Sequence, residues 1–182
     1  MAALRAVTVG TETVRTARLD LVPLRPAHAD EMAAVLGDPA LYAFTGGAPL
    51  SRAELRARYE RLAAGSPDPG VLWCNWVLRL RADSRLAGTV QATLVPARDL
   101  AEIAWVVGTA WQGRGLATEA ARGLVGRLAA HGVRTVVAHV HPAHLASAAV
   151  AAAAGLTATD EEQDGEVRWR LDLPAGPAAD AG

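Results

Sequence analysis

Apolar and polar positions alternate along this chain with two periods, near two and near three to four. Arg18–Leu24 alternates polar and apolar residues and predicts a strand. Pro26–Gly37 carries Met32, Val35 and Leu36 at helical spacing, with Gly37 as its stop. Ser51-Arg-Ala-Glu54 has the form of a capping box and opens a helix with Leu55, Tyr59 and Leu62 on one stripe. Val71–Leu80 is apolar on both faces, which predicts a strand covered on each side. Leu86–Val95 follows after a short link, so the two should pair antiparallel, and Leu100–Val107 is a third strand. A glycine-rich turn over Gln112–Ala117 leads into a helix expected over Thr118–His131, with Gly132 as its left-handed cap. Arg134–Val140 is a Val-rich strand, and Leu145–Ala154 a helix that stops at Gly155. Leu156–Thr159 and Glu166–Leu173 should close as a hairpin around Asp164-Gly165.

These blocks predict one mixed α/β domain over residues 16–173. Residues 1–15 read as a flexible arm, and the Pro/Gly/Ala-rich residues 174–182 as a disordered tail. The length of 182 residues, with 51% hydrophobic and 20% charged positions, suits a single domain with a real core. A net charge of -1 argues against nucleic acid as the main partner. All 18 basic residues are Arg, which removes Schiff-base chemistry and a Walker-type phosphate lysine. The single cysteine, Cys74, leaves no internal disulfide and no Cys-based metal cluster, and no metal is expected. It reads as a buried, inert thiol, because no base partner is evident. The start lacks the apolar core of a secretion signal, and the near-apolar run 145–154 is too short to span a bilayer. A soluble, cytoplasmic protein without a membrane partner is the expectation.

Chemistry concentrates in Glu102–Ala120. A strand ends at Val107, a turn is built on Gly113 and Gly115, and a helix follows. Glycines at a helix start let backbone N–H groups converge on one point. Those N–H groups and the positive helix end attract an anion, and Arg114 adds a charged fork. The turn therefore points to a phosphate-bearing ligand; a plain strand-to-helix turn is the alternative that two glycines alone leave open. The spacing is neither that of a dinucleotide fingerprint nor that of a Walker loop.

Gln112-Gly-Arg-Gly-Leu-Ala117 resembles the pyrophosphate signature of the GNAT superfamily of acyl-CoA-dependent N-acetyltransferases. The likeness extends to its branch of ribosomal-protein N-terminal acetyltransferases through Thr16–Arg25, Gly37-Asp38-Pro39, Glu102–Trp105, Gly115–Ala120, Val140–Ser147 and Ala154-Gly-Leu156. It covers about residues 16–173, in order. The resemblance implies an α/β (α+β) fold with a mixed, mostly antiparallel sheet of about six to seven strands and helices on both faces. It implies acetyl-CoA as acyl donor and direct transfer to a primary amine, either a protein N-terminus or a small molecule. A non-catalytic acyl-CoA sensor on the same fold is the alternative. The protein would be a monomer or a homodimer.

The resemblance also assigns roles. The backbone of Gly113, Arg114, Gly115, Leu116 and Ala117, flanked by Gln112 and Thr118, would hold the pyrophosphate. The backbone of Trp105, Val106 and Val107 would run beside the pantetheine arm, and an N–H there would polarise the thioester carbonyl. An alkyl amine titrates at about 10, so a base is needed. Glu102 is the candidate, with a structural carboxylate paired to an Arg as the other reading. Ser147 matches the serine that can stabilise the leaving thiolate; bonding back to its own helix is its other reading. His144 stands where the family usually has Asn. It could replace that cofactor contact, donate to a phosphate when protonated, or face solvent. His139 and His141 match no family motif and read as structural or surface residues. Trp73 and Trp76 fall on opposite faces of one strand, so at most one fills the core while the other lines a pocket. Residues 27–65 hold few carboxylates among many Arg, which favours a peptide N-terminus or a carboxylate-bearing amine over a polycation.

Overall fold

A computed structural model of the protein describes residues 9–10 and 12–174. Eight strands form one sheet in the order β1-β2-β3-β4-β5-β6-β8-β7. They are β1 (Val14–Arg15), β2 (Leu19–Pro23), β3 (Leu72–Leu80), β4 (Leu86–Val95), β5 (Leu100–Val107), β6 (Thr135–Val140), β7 (Thr157–Gln163) and β8 (Glu166–Asp172). Every neighbouring pair is antiparallel except β5 and β6. Four α-helices cover the sheet: α1 (Ala29–Val35), α2 (Arg52–Ala64), α3 (Leu116–Ala130) and α4 (Leu145–Ala153).

Alternation along β3 sorts the two faces. Trp76 and Leu78 point into the larger core, with Leu116, Ala120, Leu124 and Leu128 of α3. Val77 points the other way, onto Met32 and Val35 of α1 and Leu55 and Tyr59 of α2. β3 is thus covered on both faces, as the apolar residues on each of its faces require. Trp76 fills the core and Trp73 is partly exposed, so the two indoles divide as their spacing dictates. Cys74 is buried, and burial pushes its thiol up to about 11.

The sheet has one strand more than the six to seven expected, because Val14–Arg15 pairs with β2. Part of the expected arm is therefore built into the fold. Val9 is buried in the larger core, and the Trp76 indole N–H donates to the Glu12 carbonyl. Of the expected C-terminal tail, residues 175–182 lie outside the described residues. α3 starts at Leu116, two residues before the expected Thr118, because the helix springs directly from the Gly115 turn. A 3-10 turn at Pro39–Tyr42, which periodicity does not announce, follows Asp38, whose carboxylate accepts the Ala40 N–H. In the β7–β8 hairpin both Asp164 and Gly165 have positive φ, 53° and 81°, as a type I′ turn demands.

The feature that shapes the site is an incomplete ladder. β5 pairs with β4 along its whole length, from Gly88↔Val107 to Val95↔Leu100. β5 and β6 pair only over Leu100–Glu102 with Thr135–Val137. Past Glu102 they part, while β6 stays paired to β8 up to Val140. Gly88 keeps β5 on the β4 side of the split: a Cβ there would lie 2.1 Å from the Val106 carbonyl oxygen.

Candidate active site

The opening between β5 and β6 widens into a cleft of about 700 Å³, closed by the starts of α3 and α4 and by the Ala40–Thr45 segment. The sequence-predicted site residues line it, save Glu102 and Arg114.

At one end lies the glycine turn. The side-chain amide of Gln112 donates to the Val107 carbonyl at 2.9 Å, folding the loop back on the strand end. Gly113 and Gly115 take positive φ values of 72° and 74°, a region that favours glycine. The N–H groups of Gly113, Arg114 and Gly115 make no hydrogen bond among the described residues. Gly115 is the N-cap of α3 and offers no side chain to the first-turn N–H groups. The first acid of that helix, Glu119, is turned away. It accepts from the Thr16 hydroxyl, the Arg18 N–H and the Arg18 guanidinium, each at 2.6 Å. Burial opposes its ionisation, and those hydrogen bonds outweigh burial, holding the carboxyl below its usual range. The loop therefore presents unpaired donors and a positive helix end with no internal anion. The Arg114 guanidinium is not among these donors to the cleft: its Nη2 donates to the Ala110 carbonyl at 3.0 Å. Arg18, which no local pattern singles out, braces the loop by donating to the Arg114 carbonyl at 2.8 Å.

At the other end, α4 begins beside β6. His144 is its N-cap, and its Nδ1 accepts the Ser147 N–H at 3.4 Å. Its ring stacks on Phe44, with centroids 4.4 Å apart and planes at 21°. Burial, then the neighbouring His141, lowers its pKa. The neutral ring that a capping Nδ1 requires is thereby favoured, which disfavours a protonated phosphate donor. The Trp105 indole N–H donates to Ser147 Oγ at 3.2 Å, tying β5 to α4 across the cleft. The Ser147 hydroxyl thus keeps its own proton to give. On the opposite sheet face, Glu102 Oε1 lies 3.1 Å from Nδ1 of His139. Glu102 is partnered by a histidine rather than by an Arg, and His139, unlike Glu102, is among the residues that line the cleft.

The profile described as an acetyltransferase (GNAT) domain matches residues 18–157. The chain belongs to the GNAT acetyltransferase family. Solved structures show how far this GNAT fold is shared. The ribosomal L7/L12 alpha-N-protein acetyltransferase RimL, solved in complex with coenzyme A, is 18% identical. It superposes with a TM-score of 0.75, covering 89% of this chain and 98% of its own. The microcin C7 self-immunity acetyltransferase MccE, solved with acetyl-CoA and AMP, is 16% identical with a TM-score of 0.73, covering 91% and 99% of the two chains. An acetyltransferase from Agrobacterium tumefaciens str. C58 is 24% identical with a TM-score of 0.70, covering 89% and 95%. No curated protein matches the chain in sequence. The mostly antiparallel sheet with helices on both faces is the GNAT architecture expected from the motifs. Among the described residues, no helix is long and apolar enough to cross a membrane.

Proposed function

We propose that the protein transfers an acetyl group from acetyl-CoA to a primary amine. The observation that carries this reading is the uncapped start of α3 at the edge of the β5–β6 opening. Its donors are unpaired, its glycines leave room, and no side chain supplies the negative charge it lacks. A diphosphate fits that donor set, and the cleft runs from it along β5 far enough to take an extended arm.

Acetyl-CoA, when bound, supplies an acetyl group activated as a thioester. The backbone N–H groups of Gly113–Thr118 hold the diphosphate. The Trp105–Val107 backbone lies beside the pantetheine arm, and an N–H there polarises the carbonyl. Ser147 donates its hydroxyl proton to the departing sulfur, and the Trp105 indole fixes the direction of that hydroxyl. Glu102 supplies the carboxylate of the acid–base apparatus that relieves the amine of its proton. The acceptor enters over the Ala40–Thr45 segment and is a peptide N-terminus or a small amine bearing a carboxylate. The many Arg and few carboxylates of residues 27–65 favour such acceptors over a polycation.

Thermal unfolding with acetyl-CoA, coenzyme A and ATP tests this first. Ligand at 100 times its Kd should add about 2.7 kcal/mol of stability. Acetyl-CoA should raise the midpoint and ATP should not. Release of coenzyme A in the presence of an amine should follow. No stabilisation by acetyl-CoA overturns the reading; stabilisation without turnover makes the protein an acyl-CoA sensor.

A further inference from the structure

Three histidines line the cleft, and their hydrogen bonds divide them. Nδ1 of His141 accepts the Ala143 N–H at 3.1 Å, and Nδ1 of His144 accepts the Ser147 N–H. A neutral imidazole whose Nδ1 accepts must carry its proton on Nε2, so neither ring can take a proton there. His139 is the reverse. Its Nδ1 faces the Glu102 carboxylate at 3.1 Å, and a carboxylate draws the ring proton to that nitrogen. The lone pair is left on Nε2, which makes no hydrogen bond among the described residues. The ring is 13% exposed while Glu102 is 51% exposed, so the imidazole, not the carboxylate, is held in a fixed place. That place is where the strands part: the last β5–β6 pair is Glu102↔Val137, and His139 is the next residue on the same face of β6.

We propose that His139 is the general base of acetyl transfer and that Glu102 is its positioning residue, an inference that rests on the acetyl-transfer reading above. Nε2 of His139 takes one proton from the ammonium and so frees its lone pair; as the nitrogen bonds to the acetyl carbon it loses a second proton to solvent. The carbon–sulfur bond breaks, the sulfur leaves with the electron pair, and Ser147 donates a proton to it. Solvent then takes the proton from His139 and restores that of Ser147. The charged groups around the ring are Glu102 on β5, Arg168 opposite it on β8, and Glu166 on the cleft wall. Arg168 is held by Glu161 of β7, which moderates its effect on the imidazole.

His139→Asn retains a donor where Nδ1 stood and removes Nε2. The probes are a short peptide with an unblocked N-terminus, which is mostly an ammonium at neutral pH, and an arylamine, which is already a neutral amine there. With the peptide, His139→Asn should lose about 10²–10⁴ in kcat, while stabilisation by acetyl-CoA is unchanged. With the arylamine the loss should be much smaller. Glu102→Gln should lose less than His139→Asn and displace the acid limb of the kcat/KM pH profile. Long-range ¹H–¹⁵N NMR of the free protein should find the His139 proton on Nδ1, and those of His141 and His144 on Nε2. A wild-type enzyme that acetylates the peptide while His139→Asn stays within threefold overturns the assignment alone. So does an Nε2–H tautomer at His139. Wild-type protein that is stabilised by acetyl-CoA but acetylates neither probe overturns the transfer reading, and the base with it.

Discussion

α2 and α3 are the two longest helices, at 13 and 15 residues, and they begin in opposite ways. α2 closes on itself. Ser51 Oγ accepts the Glu54 N–H at 3.3 Å, and Glu54 Oε2 accepts the Ser51 N–H at 2.9 Å. α3 starts on a glycine, leaves its first N–H groups to others, and sends its nearest acid to Thr16 and Arg18, which lead into β2. A helix that satisfies its own end is scaffold, because nothing outside can improve it. A helix whose end is left open, at an opening in a sheet, is a socket.

The largest effect should come from closing the socket. Gly115→Asp supplies the missing cap with a residue that tolerates the left-handed region, and puts a negative charge where the diphosphate would sit. The protein should fold, and the stabilisation of about 2.7 kcal/mol by acetyl-CoA at 100 times its wild-type Kd should vanish. Retained stabilisation would mean that the turn does not hold the nucleotide.

Glu119→Gln should come next. It removes charge-assisted hydrogen bonds to Thr16 and Arg18, for a loss of about 2 kcal/mol in denaturant unfolding at pH 7. The sign with pH follows from the depressed carboxyl. The unfolded state takes up the proton first as pH falls, so this stability is complete above the ordinary glutamate range and fades as pH drops through the folded value. The gap between wild type and Glu119→Gln should therefore close in acid. A gap independent of pH would show that packing, not charge, is what Glu119 contributes. The smallest effect should come from opening the closed helix. Ser51→Ala should cost about 1 kcal/mol of stability and leave acetyl-CoA stabilisation unchanged.

This contrast was half visible along the chain. The Ser51–Glu54 box and the Gly113–Gly115 turn are local, three and two residues apart, and both form as their spacing foretells. The strands follow because period-two alternation records burial directly. What sets the site is non-local. Arg18 and Glu119 meet across 101 residues, and Glu102 and His139 across 37, in a parallel register that neither strand encodes by itself. Glu102 taken alone does not reveal that its partner is a histidine of the cleft lining. The parting of β5 from β6 is an absence of pairing, and no residue type announces it. The Phe44–His144 stack depends on a 3-10 turn that periodicity misses. The substitution of His144 for the family Asn was legible as a departure; its role as a cap became clear only from the bond to the Ser147 N–H.

The burial of Cys74 has a practical consequence. The one sulfhydryl in the chain is shut in the core, with its pKa at about 11, so it carries almost no thiolate at neutral pH. A thiol-reactive dye added to the native protein should stay dark. Any colour that develops while acetyl-CoA and an amine are present then counts sulfur freed by turnover, without background from the enzyme even at high protein concentration.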